Sequence, residues 1–184
     1  MKSKDREEKI LIAGFGGQGI MFLGRVLAQS AILEKKNLTY IRSYGAEMRG
    51  GTANCMVRIG RSQIGSPVFE KATLAIIMNR LSWEKFKNRI EKRGFALLNS
   101  SLIKKDSSSL GIRIKRVPLS DLALRVGSLK VANIIGIGAF LREEPVVKLS
   151  SVEAVLREIF DNKPQLLKFN LQALKVGFNY HGKK

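Results

Sequence analysis

ILIAGFGGQGIMFLG, residues 10–24, is the stretch on which the fold turns. An apolar run enters a cluster of glycines, and an apolar-periodic segment leaves it. This is the strand–turn–helix order by which nucleotide-binding folds hold a phosphate. Gly14, Gly16 and Gly19 satisfy G-x-G-x-x-G between a predicted strand at 9–13 and a predicted helix at 18–36, where Ile20, Leu23, Leu27 and Ala31 recur at helical spacing. The first glycine permits a tight turn, the second lets backbone approach a phosphate, and the third lets the helix pack on the strand. Gly17 makes the turn more permissive still. Asn37 is a plausible helix stop, and residues 38–42 resume as a strand. The first third thus reads as β-α-β, with parallel strands and a right-handed crossover.

A dinucleotide site needs more than this turn. An acidic residue should close the second strand and take the ribose hydroxyl. That strand reads LTYIRS from Leu38 and contains no acid; Arg42 could instead suit a 2′-phosphate, which keeps an NADP-binding oxidoreductase open. The Walker pattern fails, because Ile20 stands where its lysine should follow Gly19. On the turn alone, nucleotide binding and a purely structural strand–helix junction are equal alternatives.

Further along, residues 43–51, SYGAEMRGG, form a loop with no regular period. A strand follows at 53–59, turned by 60–62 into a short return strand at 63–65; such a hairpin makes the sheet mixed. Residues 73–78 read as a buried strand. Ser82 caps a helix running through Lys92, with Gly94 as its stop. Strands at 95–98 and 111–117 flank a polar loop at 100–109. Helices are expected at 120–126, 131–141, from a Ser150/Glu153 capping box to Phe160, and from Pro164 to about Val176. Small residues Gly136 and Gly138 on the 131–141 helix permit a close helix contact, either internal or against a neighbouring subunit, with the internal one favoured. Strands alternate with helices early and helices dominate late. The expected fold is one α/β domain over 1–184: a three-layer α/β/α sandwich on a mixed, mostly parallel sheet, with charged tails at 1–8 and 181–184.

Composition narrows the chemistry. Cys55 is the only cysteine, so the chain can form no internal disulfide, and it cannot alone supply the four thiolates an iron–sulfur cluster takes. His181 is the only histidine and lies near the C-terminus, which argues against His-based catalysis and a His-built metal site. With 33 Lys and Arg against 15 acids, the formal charge is +18. Such a surface attracts anions: nucleic acid, acidic proteins, phosphorylated ligands. The charge is distributed rather than blocked and is not interleaved with aromatics, so a solvated surface is favoured over a nucleic-acid groove. No run reaches membrane-spanning length and the first residues show no hydrophobic leader, so a cytoplasmic protein is expected.

The loop at 43–51 changes the balance. Tyr44, Glu47 and Arg49 between Gly45 and the Gly50–Gly51 pair are costly to order unless something is recognised there. Arg49 offers a rigid fork for carboxylate or phosphate, which Glu47 could orient; alternatively the two merely pin the loop to each other. GFGGQG followed by SYGAEMRGGTANC resembles the gamma subunit of the 2-oxoacid:ferredoxin oxidoreductases. The resemblance continues through IGSPV at 64–68 and AIIMNRLSWEKF at 75–86, and resurfaces at Asn133, Gly138 and Ala139. GTANC with IGSPV looks most like the 2-oxoglutarate members, with pyruvate, branched-chain and indolepyruvate relatives close by. Ala46 stands where a proline is common.

That resemblance implies an α/β/α subunit, inactive alone, in a complex that decarboxylates a 2-oxoacid oxidatively, forms an acyl-CoA and reduces ferredoxin. Thiamine diphosphate with Mg, and the iron–sulfur clusters, would be held by alpha, beta and, in some complexes, delta subunits, in a heterotetramer for instance; this chain would hold none of them alone. It further implies that Gly14, Gly16, Gly17, Gln18 and Gly19 lie beside Ser43, Tyr44, Gly45, Glu47, Arg49, Gly50 and Gly51 at the strand ends facing the partner subunits, on the CoA side, where they would shape either an anionic-ligand site for CoA phosphates or a subunit contact. The high positive charge suits acidic partner subunits. Homodimerisation of the isolated chain is left open.

Overall fold

The computed structural model of the chain describes residues 7–44, 52–104 and 111–182. Its strands are β1 (Glu8–Phe15), β2 (Asn37–Tyr44), β3 (Thr52–Gly60), β4 (Ala72–Ile77), β5 (Ile90–Asn99) and β6 (Arg113–Val117). Its helices are α1 (Ile20–Leu33), α2 (Arg80–Phe86), α3 (Leu119–Val126), α4 (Ala132–Glu143), α5 (Leu149–Ile159) and α6 (Pro164–Phe178). All six strands join one sheet in the order β2-β3-β1-β4-β5-β6. The ladders β1–β4, β4–β5 and β5–β6 are parallel; β3 is antiparallel to both β1 and β2.

The sheet is therefore mixed and mostly parallel, as expected, but the antiparallel part arises differently. β1 and β2 do run in the same direction, yet they are not neighbours, because β3 lies between them. The expected return strand at 63–65 is absent. The reason is simple: β1 and β2 occupy both edges of β3, so no edge remains for a third ladder. Instead the Arg58 guanidinium donates to the carbonyls of Ser66 and Val68 and folds that segment back as a loop.

The alternation of each strand sorts the core into two layers. Ile10 and Ile12, Cys55 and Val57, Ile76 and Leu97 face α1, α3, α4, α5 and α6. Leu11 and Ala13, Ala75 and Ile77, Ala96 and Leu98 face Trp83 and Phe86 of α2, with Phe69 and Ile103. The three layers are present, and they are unequal: five helices cover one face and one covers the other. α4 and α6 meet at backbone distance. A Cβ on Gly138 would stand 2.1 Å from the Leu174 carbonyl, and one on Gly177 2.0 Å from that of Ile135. The small residues of α4 thus serve an internal contact.

The boundaries of α2, β5 and α5 differ from those expected. α2 is capped by Asn79, whose Oδ1 accepts from Ser82 N at 2.9 Å, and not by Ser82. It ends at Phe86, where a 3-10 turn (Lys87–Arg89) leads into β5. β5 begins well before residue 95, its polar start hidden in the charged run, with Ile90 buried and paired to Ala72. Gly94 is inside this strand, where a Cβ would press on the Glu91 and Thr73 carbonyls at 2.8 and 2.9 Å. α5 starts one residue before Ser150 and its N-cap, Lys148, makes no side-chain cap. The cap comes from across the fold: Glu34, at the end of α1, accepts from Lys148 N at 2.5 Å and from Lys36 Nζ at 2.8 Å. No helix among the described residues is long and apolar enough to cross a membrane.

Candidate functional site

The glycine turn leaves β1 at its carboxyl end, the edge where open α/β sheets bind ligands. Gly14 is the penultimate residue of β1. A Cβ there would meet Ile20 Cδ1 at 2.6 Å, Gln18 Oε1 at 2.7 Å and Met78 Cβ at 3.0 Å. That vacancy lets Gln18 fold back over the strand end, where its Oε1 accepts from Phe15 N at 2.8 Å and from Asn79 Nδ2 at 2.9 Å. Gln18 thereby ties the β1–α1 turn to the β4–α2 turn. Gly16 and Gly17 are exposed, with nothing within 4 Å of their added Cβ positions, so backbone lies open to an incoming group. Gly17 has φ +93°.

Gly19 caps α1 in the left-handed region, with φ +74°. A Cβ there would come within 2.1 Å of Asn133 Nδ2. Asn133, buried on α4, donates from this nitrogen to Gly19 O at 3.4 Å and accepts from Ile134 N at 2.9 Å. The helix-on-strand role expected of the third glycine belongs instead to Gly24, where a Cβ would meet Cys55 Sγ at 2.5 Å and Tyr40 Cε2 at 2.8 Å.

β2 ends on the same edge. Gly14 pairs with Ala53, and Ala53 with Tyr44, so one strand separates the two ends, a span of roughly 10 Å. Ser43 is exposed one residue earlier, opposite Asn54. Gly45, Glu47, Arg49, Gly50 and Gly51 lie outside the described residues. The same topology removes the dinucleotide geometry. The acid of such a site closes the parallel strand beside β1, and here that place is held by antiparallel β3 while β2, with exposed Arg42, is one strand further out.

Beside the turn opens a cavity of about 430 Å³, lined by Gly17, Gln18, Met78, Leu102, Ser120, Leu129, Lys130 and Ala132. Its lining has no carboxylate and one cation, Lys130. Four helices, α1, α2, α3 and α4, begin at this edge and point the positive ends of their dipoles toward it; first-turn N–H groups of α2, α3 and α4 are already taken, Ser82 N by Asn79, Ser120 N by Asn99, Asp121 N by Ser101 and Ile134 N by Asn133. α1 and α4 have no acid in their first turns to answer it, while α3 has Asp121. Buried Asn99 holds the far wall, donating to Met78 O at 3.2 Å and Ser120 Oγ at 3.0 Å. The donor set suits an anion with an apolar body. Among the described residues no three His, Cys, Asp or Glu side chains gather as a metal site. Cys55 is buried, and burial pushes its thiol up to about 12, with a backbone contact at Gly24 opposing.

Asn79 and Asn99 were not singled out by sequence reasoning, although a signal exists: each closes an apolar strand, in AIIMN and ALLN. A buried amide at a strand end is the group that can bridge two turns. Lys130, Leu129 and Leu102 carry no such signal.

The profile of the family described as pyruvate ferredoxin/flavodoxin oxidoreductase matches residues 9–180. The chain is 29% identical over 172 residues to the ketoisovalerate oxidoreductase subunit VorA of Methanothermobacter thermautotrophicus, covering 93% of this chain and 36% of that protein. It thus spans about a third of the length of that relative. To the 2-oxoglutarate synthase subunit KorC of Methanocaldococcus jannaschii it is 30% identical over 175 residues, covering 93% of this chain and 92% of the relative. Among solved structures, the 2-oxoglutarate:ferredoxin oxidoreductase from Magnetococcus marinus, with 2-oxoglutarate, coenzyme A and succinyl-CoA bound, superposes with a TM-score of 0.87 at 22% identity, over 94% of this chain and 30% of that one. The keto/oxoacid ferredoxin oxidoreductase gamma subunit from Geobacter sulfurreducens superposes at 0.78 with 25% identity, over 93% and 96% of the two chains.

Proposed function

The chain belongs to the pyruvate ferredoxin/flavodoxin oxidoreductase family, and from that premise we propose that it is the gamma subunit of a 2-oxoacid:ferredoxin oxidoreductase, with 2-oxoglutarate as the oxoacid. One observation carries the reading: the chain aligns with 92% of a KorC subunit at 30% identity. The reaction is oxidative decarboxylation of the oxoacid to its acyl-CoA, with electrons passed to ferredoxin. The chain works in the cytoplasm as one domain of a multisubunit enzyme. Thiamine diphosphate, Mg and the iron–sulfur clusters belong to the partner subunits. This chain's single buried cysteine fits that division, since a cluster takes four thiolates.

The chain's own contribution is an anion-binding edge on the CoA side. Exposed Gly16 and Gly17 present backbone to a phosphate, Lys130 supplies charge, and Gln18 with Asn79 fixes the turn. By its place in the sequence, Arg49 follows the end of β2 and adds a second cation. Co-expression with the neighbouring genes tests the reading. The expected product is a complex that carries thiamine diphosphate and iron and reduces ferredoxin only with 2-oxoglutarate and CoA both present. Absence of any such complex, or turnover by the isolated chain, overturns it. Arg49→Ala should raise the KM for CoA and leave that for the oxoacid in place; an unchanged CoA value removes the CoA role.

A further inference from the structure

Five large apolar side chains on α3, α6 and the loops at 102 and 129 are 41–60% exposed: Leu102, Leu124, Leu129, Leu166 and Phe169. Scattered exposed apolar residues are ordinary, and contiguity is what marks a surface. These are contiguous. Leu102 and Leu129 line the cavity together with Ser120. Leu124 stands one helical turn from Ser120, on the same flank of α3. The loop bearing Leu102 is tied to α3 where Ser101 Oγ accepts from Asp121 N at 3.2 Å. Phe169 reaches the turn after α3, where a Cβ on Gly127 would lie 3.4 Å from its ring, and Leu166 sits three residues before it on α6.

Charge selects the occupant. Lys104, Arg125 and Lys130 are exposed among these side chains, against one exposed acid, Asp121. The whole chain carries +18, so a second copy would bring like charge to the same face. We infer that the apolar patch of α3, α6 and the 127–131 turn is the docking surface for another subunit of the oxidoreductase, one that presents apolar side chains rimmed by Asp and Glu. The patch runs into the cavity mouth, so the docked subunit roofs the anion site beside the glycine turn. This rests on the gamma-subunit reading above.

The test uses the full chain and the purified remaining subunits. Their dissociation constant is measured by titration at moderate and at high salt. Leu124→Asp and Phe169→Asp should each weaken binding about tenfold or more, with the far-UV spectrum and melting temperature unchanged, because both side chains are exposed. Arg125→Glu should slow association and flatten its salt dependence. Ile32→Asp is the control. Among the described residues Ile32 is the most exposed large apolar side chain at 61%, and it sits about 20 Å along α1 from the glycine turn; it should bind as wild type does. Binding of the Leu124→Asp/Phe169→Asp pair within about threefold of wild type, or disruption by Ile32→Asp alone, overturns the assignment. So does a dimer of the isolated chain in sedimentation that Leu124→Asp dissolves. If the wild-type chain joins no complex at all, the gamma-subunit reading has failed and the patch loses its partner with it.

Discussion

Replacing the glycines of the turn one at a time should give three clearly separated stabilities. Gly16→Ala adds a methyl into open space at a backbone angle alanine tolerates. Its effect should lie near zero or be slightly stabilising, since alanine has less unfolded-state freedom to lose. Gly17→Ala also meets no atom, but it must hold φ +93°; that left-handed conformation costs about 1–2 kcal/mol. Gly19→Ala bears the same kind of backbone cost and also drives a methyl to 2.1 Å from Asn133 Nδ2. Asn133 is buried, and moving its amide sacrifices its bonds to Gly19 O and Ile134 N, which adds about 1–3 kcal/mol. The expected total for Gly19→Ala is about 3 kcal/mol. Urea unfolding followed by Trp83 fluorescence reads the series, because this sole tryptophan, on α2, is buried against the sheet. The m-value should stay constant across it. In an Asn133→Ala background the clash is gone, and Gly19→Ala should cost only its backbone share, about 1–2 kcal/mol. Equal costs at Gly16 and Gly19, or the same Gly19→Ala cost with and without Asn133, would refute the reasoning.

Other perturbations follow from contacts elsewhere. Burial of Glu34 opposes its charge, but Lys36, the Lys148 backbone N–H and Ser151 outweigh it and hold the carboxyl below its ordinary 4.5. Its stabilising share is therefore present above that value and lost as pH falls through the folded-state pKa. Glu34→Gln should lower the urea midpoint at neutral pH, with the gap to wild type closing under acid; a gap that persists at low pH counts against the cap. Cys55, buried with its thiol pushed up to about 12, should resist a thiol reagent until the chain unfolds. Labelling as fast as a free thiol in native buffer would show that α1 does not seal it. Gly138→Ala should cost about 3 kcal/mol or more, because its methyl meets the backbone of α6 and not a movable side chain. A melting temperature within a degree or two of wild type would mean that α4 and α6 stand further apart.

Local chemistry made part of this molecule readable in advance. The strand, the glycines and the amphipathic α1 depend on neighbours in sequence, and they stand where residues 10–24 place them. Placement of β3 does not depend on neighbours. Nothing within residues 52–60 says that they will lie between β1 and β2 rather than beside a return strand; long-range pairing decides it. The Ser150 cap failed for a related reason: a carboxylate from another helix, Glu34, satisfied α5 first. In the site, Gly14 and Gly19 were legible as turn glycines. What each excludes, Gln18 and Ile20 in one case and Asn133 in the other, required coordinates. Leu129, Lys130 and Leu102 meet at the cavity only through the ends of β4, β5 and α3, a convergence with no periodic trace along the chain.

The interposed β3 also sets an order of events during synthesis. β2 has no ladder except the one to β3, and β1 finds its two neighbours only in β3 and β4. A nascent chain that has just released Tyr44 therefore holds two strands with no partner for either, the apolar ILIA among them. Not until Gly60 has left the ribosome can both be captured in one step.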